Sequence, residues 1–357
     1  MCMKKRIPAV LGVIAFGLIL LILSNRQTNP LKEDALTITD YKLNTYVAVT
    51  IYDKDKEYVL EKCMALCDRY ELIFSRTNPN SELYKLNNGL LPCSEDGYYT
   101  ISSDLYDVIA IGKKYATLSN NAFSIAMEPL TSLWNFSDDT NTIPSMEKLD
   151  AALPLVNSSD ILLRAPNQVA FSKEGVVYTS GTPANGGMGI DLGAIAKGYI
   201  ADRIKEYLLS QHVDSALIYL GGNVLCIGEK ETGPFTIGIE KPFDVNGEAA
   251  ALLKIADTSV VTSGTYQRYF EKEGTIYHHI LDSTSGYPLE NGLIAVTIVT
   301  DSSTDADALS TTCFSLGLKK GLELLESLEN ADGFFITEDG EYHYTEGFLE
   351  KYQVIIP

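Results

Sequence analysis

The pattern of hydrophobic and polar positions divides most of the chain into short helices and strands. Apolar residues recur at helical spacing in five main segments, residues 56–74, 104–118, 146–155, 193–209 and 306–325. Alternating or short continuous apolar runs, typical of strands, occupy residues 45–52, 168–180, 216–227, 235–240, 250–255, 259–262 and 294–300. Because these elements are mixed without a regular strand–helix–strand alternation, the pattern predicts an α+β fold with mixed sheets and flanking helices.

The N-terminus carries an apolar run, residues 7–23, directly after the basic cluster Lys4-Lys5-Arg6. A run of this length is at the lower limit for crossing a bilayer, and basic residues before it predict that the N-terminus stays in the cytoplasm. We expect an uncleaved membrane-anchor helix over residues 1–27, a tether over 28–36 and a catalytic domain over 37–357 on the outer side. A buried core helix is the competing interpretation, which the flanking charge and the terminal position disfavour.

The composition is strongly acidic. Asp and Glu number 47 against 28 Lys and Arg, which gives a formal net charge of −19. Nucleic acids and anionic membrane surfaces bind basic footprints, so this balance argues against either as the main partner. It suits a protein that recruits divalent cations.

The stretch MGIDLGAIAKGYIAD, residues 188–202, places Asp191 before a glycine turn and a predicted helix start. A helix start has unpaired amides and a partial positive charge, which favour phosphate, and Lys197 would add a cation one turn into the helix. The alternative is a tight strand-to-helix turn that binds nothing.

The stretch DSSTDADALSTT, residues 301–312, places Asp307 and Thr311 four residues apart. On a helix both side chains project from one face, where a carboxylate and a hydroxyl suit Mg²⁺. The alternative is an acidic N-cap that complements the helix dipole, a role that Asp301 and Asp305 would fill well.

Two adjacent histidines precede an aspartate in the segment TIYHHILDSTSGYP. A histidine beside a carboxylate can be oriented and kept basic for proton removal. The alternative is a strand whose histidines pack in the core or face water.

Six sequence blocks together are more specific than any one of these motifs. They are FSRTNPNSELYKLN, AFSIAMEPLTSLWNF, IDLGAIAKGYIAD, LIYLGGN, TSGTYQRYF with HHILDSTSGYP, and DADALSTTCFSLG. In this order they closely resemble the ApbE family of FAD:protein FMN transferases. The resemblance covers roughly residues 40–340 and implies an ApbE-like fold for this part of the chain.

The resemblance also implies a reaction and its site. Family members bind FAD with Mg²⁺ at the pyrophosphate and transfer FMN to a Thr or Ser hydroxyl of a target protein, releasing AMP. The implied Mg²⁺ ligands are Ala194 (through its carbonyl), Asp307 and Thr311, and the implied catalytic base is His279. The implied FAD contacts are Leu43, Thr77, Asn78, Ala122, Phe123, Ser124, Asp191, Lys197 and Ile280, with Ser263 and Gly264 bordering the target hydroxyl.

The sequence departs from the common family pattern at three places. Ser124 stands where many members have Asp, and Ser283 stands where many have Pro. Thr77 and Asn78 occupy a loop in which some members place a tyrosine that stacks on the flavin. The absence of this ring favours a resemblance to those family members that hydrolyse FAD to FMN and AMP.

We therefore expect a membrane-anchored, extracytoplasmic, Mg²⁺-dependent flavin transferase. Its partners would be FAD and flavin-carrying subunits of redox complexes or surface electron-transfer proteins, whose target motif in this family is a short Asp…Thr/Ser-Gly-Ala-Thr/Ser sequence. One alternative is an Mg²⁺-dependent FAD pyrophosphatase that uses the same site. The other is a non-catalytic FAD-binding surface protein, which the intact Asp307, Thr311 and His279 disfavour.

Overall fold

The structure, a computed structural model, describes residues 35–134, 136, 141–172, 187–244 and 246–357. The predicted anchor and most of the predicted tether lie outside these residues. Among the described helices, none is long and apolar enough to cross a membrane.

The described residues form strands and helices throughout. The strands are β1 (Leu36–Lys42), β2 (Thr45–Ile51), β3 (Tyr99–Thr100), β4 (Ile161–Arg164), β5 (Gln168–Phe171), β6 (Ala216–Leu220), β7 (Asn223–Ile227), β8 (Phe235–Glu240), β9 (Ala249–Ile255), β10 (Ser259–Gly264), β11 (Tyr269–Lys272), β12 (Thr275–His278), β13 (Leu293–Thr300), β14 (Ala331–Thr337) and β15 (Tyr342–Tyr344). The helices are α1 (Tyr58–Phe74), α2 (Glu82–Asn87), α3 (Ser103–Leu118), α4 (Glu128–Thr131), α5 (Met146–Ala152), α6 (Ala196–Ser210), α7 (Ser303–Leu316), α8 (Leu318–Glu326) and α9 (Phe348–Lys351).

An eight-stranded sheet forms the frame of the molecule, in the order β1-β2-β6-β7-β10-β13-β14-β15. Every neighbouring pair in it is antiparallel. Three smaller sheets, β3-β5-β4, β8-β9 and β11-β12, are built from the connections between its strands. The predicted mixed α+β fold is confirmed.

Both faces of the central strands are buried. Val261 and Phe335 belong to the larger hydrophobic core, which they share with buried residues of α1, α6 and α7. Their sequence neighbours Val260 and Phe334 point to the opposite face, where β8, β9 and α9 form a second core. This two-sided burial explains why the central strands read as continuous apolar runs instead of alternating ones.

The predicted helix 193–209 begins later than its apolar pattern, at Ala196. The carboxylate of Asp191 accepts a hydrogen bond from the Gly193 N–H at 2.8 Å. This local turn competes with helix for the first residues of the segment.

The helical stretch predicted over 306–325 is present, but it is divided into two helices. The chain forms α7 and α8, which meet at Gly317, a residue with φ of 79° that breaks the helix. The first of them starts earlier than predicted, because Ser302 accepts from the Asp305 N–H and caps the helix. The alternative N-cap role for Asp305 is therefore taken by Ser302.

Candidate functional site

The segment before α6 is held rigidly at the site. Both backbone groups of Ile190 bond the side chain of Asn87, each at 2.8 Å, and the N–H of Asp191 donates to the Ile125 carbonyl at 2.8 Å. One Asp191 oxygen closes the turn to Gly193. The chain therefore arrives at the helix with its amide groups in a fixed position.

The other carboxylate oxygen of Asp191 connects two further segments. It accepts from the Thr131 hydroxyl at 2.8 Å and lies 2.9 Å from Nε of Arg76, whose guanidinium also donates to Ser132. The sequence analysis did not single out Arg76 or Thr131, although both lie inside the blocks that carry the family resemblance. Arg76 adds a second cation to the site beside Lys197.

Asp307 lies where α6 and α7 approach each other most closely. Its side chain accepts from the Gly198 N–H at 2.9 Å and lies 3.4 Å from Nζ of Lys197. A Cβ atom at position 198 would be 2.2 Å from the Ser303 carbonyl oxygen and 2.8 Å from Cβ of Asp307. Only glycine permits this close approach of the two helices. The motifs at residues 188–202 and 301–312, which the sequence analysis treats separately, are therefore in direct contact.

The same hydrogen bond satisfies an amide group at the start of α6. Gly198 is the third residue of the helix, so its N–H has no carbonyl partner within the helix. This N–H donates to Asp307. Ala194 precedes the helix, so its carbonyl is not one of the acceptors of the helical hydrogen bonds.

Hydroxyl groups line the next turn of α7. Oγ of Ser263, in β10, lies 3.1 Å from Oγ1 of Thr311 and 2.8 Å from Oγ of Ser310. Ser310 donates to the Asp307 carbonyl at 2.9 Å. Ser263, which the resemblance assigns to the target side, is thus in direct contact with a predicted metal ligand.

These residues suit Mg²⁺ by their chemistry. The carboxylate of Asp307, the hydroxyl of Thr311 and the carbonyl of Ala194 are hard oxygen donors, and Asp307 is 3% exposed. The described part of the chain contains no group of three or more His, Cys, Asp or Glu side chains arranged for a metal ion. Mg²⁺ commonly takes one or two carboxylates and completes its shell with water and substrate phosphate oxygens. The donor set fits a metal held jointly with a phosphate-bearing substrate.

His279 follows β12 and is fixed by the main chain of Arg268. The carbonyl of Arg268 accepts from the His279 N–H at 3.1 Å and lies 3.2 Å from the ring Nδ1. Since a carbonyl oxygen only accepts, Nδ1 carries the proton and Nε2 keeps its lone pair. The ring is therefore held in the tautomer that can remove a proton through Nε2.

The surroundings of His279 keep it neutral. Desolvation by the packed chain, and then the positive charges of Arg268, His278 and Lys197, lower the pKa of His279 to about 3. Lys197 makes the smallest of these contributions, so its ammonium lies within electrostatic range of His279. At neutral pH the imidazole is unprotonated and available as a base.

His278 has a different role. It is buried, its Nε2 lies 3.0 Å from the Leu289 carbonyl, and its ring packs edge-on against Phe314. Of the two adjacent histidines, His278 packs in the core, and His279 is partly exposed and held by the Arg268 carbonyl.

The turn between β1 and β2 joins the site through Arg268. Leu43 and Asn44 have positive φ values of 54° and 59°, and the guanidinium of Arg268 donates to the Asn44 carbonyl at 3.2 Å. The predicted FAD contact Leu43 is thereby linked to the residue that holds His279. Arg268 is a further residue that the sequence analysis did not assign.

Several predicted FAD contacts are buried. Phe123 is 2% exposed and Ile280 is 6% exposed, and the Ser124 hydroxyl donates to the Val156 carbonyl at 2.7 Å. Ala122 remains partly exposed. The first three residues therefore face the interior with their side chains and can reach a ligand only through their main chain.

The loop that contains Thr77 and Asn78 lies beside Arg76. Thr77 is exposed, and the Asn78 N–H donates to the Ser75 hydroxyl at 3.1 Å. The loop ends at Ser81, which caps α2 through its hydroxyl. It presents no aromatic ring from these two positions.

The match to a family model decides the classification. The model described as the ApbE family matches residues 43–335. This chain belongs to the ApbE family. The match includes all of the predicted site residues.

Named relatives and solved structures agree with the ApbE assignment. The FAD:protein FMN transferase of Klebsiella pneumoniae (strain 342) is 36% identical over 295 residues, covering 82% of this chain and 86% of the relative. That of Treponema pallidum (strain Nichols) is 33% identical over 328 residues, covering 88% and 87%. The ApbE protein of Thermotoga maritima has a TM-score of 0.77 at 28% identity and covers 88% of this chain and 98% of that one. The apo flavinyl transferase ApbE of Pseudomonas stutzeri has a TM-score of 0.75 at 26% identity, covering 91% and 99%.

The predicted family, the ApbE-like fold of the described residues and the predicted FMN-transferring enzyme are confirmed by these relatives. The roles of individual residues, the Mg²⁺ requirement and the membrane anchor stay predictions.

Proposed function

We propose that this protein transfers FMN from FAD to a Thr or Ser hydroxyl of an acceptor flavoprotein in a reaction that depends on Mg²⁺. The observation that carries this proposal is a neutral histidine beside a carboxylate–lysine–hydroxyl cluster. His279 is fixed with Nε2 free, and it is coupled electrostatically to Lys197, which pairs with Asp307. Such a site suits proton removal from a hydroxyl that attacks a phosphoryl group.

The bond changes follow from the chemistry of FAD. The acceptor oxygen forms a bond to the FMN phosphorus, the pyrophosphate P–O bond breaks, and AMP leaves with the bridging oxygen. The proton of the hydroxyl passes to Nε2 of His279. Phosphoryl transfer needs little covalent help from the protein, so positioning and charge neutralisation provide most of the catalysis.

The protein provides that charge from two basic residues. The ammonium of Lys197 and the guanidinium of Arg76 are both partly exposed, and they pair with Asp307 and Asp191 respectively. We assign them to the pyrophosphate oxygens. The N–H groups of Ala196 and Gly198 are already bonded, to the Leu192 carbonyl and to Asp307. Asp191 orients Arg76 and the turn.

Asp307, Thr311 and the Ala194 carbonyl would hold the Mg²⁺. When bound, this ion neutralises charge on the pyrophosphate and on the leaving AMP. The buried carboxylate of Asp307 would then bind a divalent cation in addition to the Lys197 ammonium and the Gly198 N–H.

The experiment that tests the function uses the full-length protein, FAD, Mg²⁺ and a small carrier protein fused to an Asp…Thr-Gly-Ala-Thr acceptor segment. Mass spectrometry follows the carrier and chromatography follows AMP and FMN. We expect a carrier heavier by one FMN, with an equal amount of AMP.

Other outcomes would identify another function. AMP and free FMN with an unmodified carrier would mean an FAD pyrophosphatase. This is the second candidate because the exposed Thr77 stands where some family members have a flavin-stacking ring. FAD binding without any AMP would mean a flavin-binding protein without chemistry. A carrier whose acceptor threonine is changed to valine is the matched control.

We also propose that residues 1–27 anchor the protein in the cell membrane with the catalytic domain on the outer side. The support is the apolar run at residues 7–23 and the Lys4-Lys5-Arg6 cluster before it. The acceptor would then be a flavoprotein exposed on the same side of the membrane.

A further inference from the structure

Three aromatic rings form a partly exposed surface next to the site. Phe243 packs edge-on against Tyr266 at 6.0 Å and against Tyr269 at 5.5 Å between ring centroids. Phe243 and Tyr269 are each 43% exposed. We call Phe243, Tyr266 and Tyr269 the aromatic patch.

The patch is continuous with the predicted target side. Gly264 lies under Tyr266, since a Cβ at position 264 would be 2.5 Å from the tyrosine ring. The residue before Gly264 is Ser263, which contacts Thr311. Tyr266 therefore packs on the residue that follows Ser263, which contacts the predicted metal ligand Thr311.

The patch is also continuous with the predicted base. Tyr269 pairs with His278 across β11 and β12, and the preceding Arg268 carbonyl holds His279. On the other side of the hairpin, Phe270 stacks on Tyr277 at 5.2 Å and packs near Trp134. The hairpin that carries Tyr269 and His279 is thus fixed to the core.

Phe243 is presented in an unfavourable backbone conformation. Its φ is 57°, in the left-handed region that glycine or asparagine usually occupies. The turn is held by Asp244, whose carboxylate accepts from the N–H groups of Asn246 and Glu248 at 3.0 and 2.8 Å. A large apolar ring kept exposed in such a turn is unusual for a residue with a purely structural role.

We infer that the aromatic patch is the docking surface for the acceptor polypeptide, in contact with the segment that flanks the Thr or Ser hydroxyl. The inference rests on the proposed function, because the acceptor hydroxyl has to reach His279. Tyr269 directly follows Arg268, whose carbonyl holds this histidine, and it pairs with the neighbouring His278 across the hairpin. Exposed aromatic rings anchor protein interfaces more often than other side chains do. Gln267 and Arg268, both exposed, add polar groups between Tyr266 and Tyr269.

The test compares full-length wild-type protein with Phe243→Ala, Tyr269→Ala and the double variant, using the carrier protein with the acceptor segment. We expect the KM for the carrier to rise by about tenfold or more in the double variant, as is typical of lost aromatic anchors. The affinity for FAD and the release of AMP without carrier should stay at wild-type values. Tyr269→Phe keeps the ring and should keep the KM, and Tyr58→Ala removes an equally large exposed ring from the start of α1 as a matched control.

Each other result overturns the inference in a recognisable way. The folding of the double variant is checked by circular dichroism. If the folded double variant has an unchanged KM for the carrier, the acceptor docks elsewhere. A parallel loss of FAD affinity would make the patch part of the flavin site. Failure of the wild-type protein to label the carrier at all, with FAD bound, would reject the proposed function and the docking surface together.

Discussion

Asp307 is a deeply buried carboxylate at this site. It is 3% exposed, and a carboxylate so deeply buried needs partners to offset its lost hydration. The structure provides the Gly198 N–H at 2.9 Å and the Lys197 ammonium at 3.4 Å. A divalent cation shared with a substrate phosphate would complete this compensation. His279, in contrast, is kept neutral by its lowered pKa.

Asp307→Asn tests the metal assignment. The amide keeps the shape of the side chain and an acceptor for the Gly198 N–H, so the fold should be retained. We expect Mg²⁺-dependent AMP release from FAD to fall on the order of 10²-fold or more, since a bound metal contributes several kcal/mol to the transition state. Titration of activity with Mg²⁺ measures it.

Asp305→Asn is the matched control for this variant. Asp305 lies on the same helix, but its carboxylate accepts from the Tyr115 hydroxyl at 2.5 Å, on another face. Mg²⁺-dependent activity at the wild-type level in Asp307→Asn would remove Asp307 from the metal site.

His279→Gln tests the base. We expect FMN transfer to slow by about 10²- to 10⁴-fold, the usual contribution of general base catalysis, while FAD still binds. Single-turnover labelling of the carrier measures transfer, and quenching of flavin fluorescence measures binding. His343→Gln, which changes a histidine outside the site, should behave as wild type, and a selective loss of FAD affinity in His279→Gln would make His279 a binding residue.

The pH profile tests the electrostatics of the same residue. Because the pKa of His279 is lowered from 6.5 to about 3, the imidazole stays neutral as the pH falls through 6.5. The acid limb of kcat/KM for FAD should therefore lie well below pH 6.5. A half-maximal value near pH 6.5 in protein that is still folded by circular dichroism would contradict this.

At the scale of elements, the crossing of α6 and α7 brings the residues of the proposed metal site together. Neither helix carries the site alone, since α6 provides Lys197 and the Gly198 N–H, and α7 provides Asp307 and Thr311. Asp202 of α6 reinforces the crossing, because its carboxylate accepts from the N–H groups of Ser303 and Thr304 at 3.0 and 2.9 Å. The geometry of the site thus depends on how closely the two helices pack.

Gly198→Ala tests this dependence. The added methyl group would lie 2.2 Å from the Ser303 carbonyl, so the helices must separate. We expect the free energy of unfolding to fall by about 1–3 kcal/mol and the affinity for Mg²⁺ to fall with it. Denaturant unfolding and Mg²⁺ titration measure the two effects.

Gly238→Ala in β8 is the control for this substitution. A Cβ there has its nearest neighbours at 3.5 and 3.6 Å, which is ordinary contact. Loss of stability in Gly198→Ala without loss of Mg²⁺ affinity would mean that the crossing supports the fold but not the metal.

At the scale of the whole molecule, the eight-stranded sheet gathers distant parts of the sequence. Direct contacts join the turn after β1 to Arg268 and Arg268 to His279. Other contacts join α7 to Gly198 of α6 and to Ser263 at the end of β10. The strands that end at these segments are buried on both faces of the sheet. The proposed acceptor surface and the proposed phosphate site are therefore built on the same fold.

The proposed anchor makes a prediction at this scale. Full-length protein should sediment with membranes and resist alkaline extraction, because its apolar run would lie in the bilayer. A variant without residues 1–27 should be recovered in the soluble fraction and should retain FAD-dependent AMP release. Full-length protein that is released by alkaline washing would contradict the anchor.

The sequence by itself determined the elements, the family and most of the reactive groups. Periodicity located the main helices and strands, and the order of the blocks led to Asp191, Lys197, His279, Asp307 and Thr311, because local spacing and residue chemistry are properties of the chain alone. It failed where a side chain competes with the helix, as at Asp191, and where one glycine with positive φ divides a continuous apolar pattern, as at Gly317.

Only the tertiary structure decided which groups meet. The Gly198 N–H donates to Asp307 and Arg76 pairs with Asp191, and both contacts join residues far apart in sequence. The Arg268 carbonyl sets the tautomer of His279 across a hairpin. The structure also separates the buried His278 from the partly exposed His279, a difference that two identical neighbouring residues do not show in the sequence. Such contacts depend on packing between elements, and packing is a property of the folded chain.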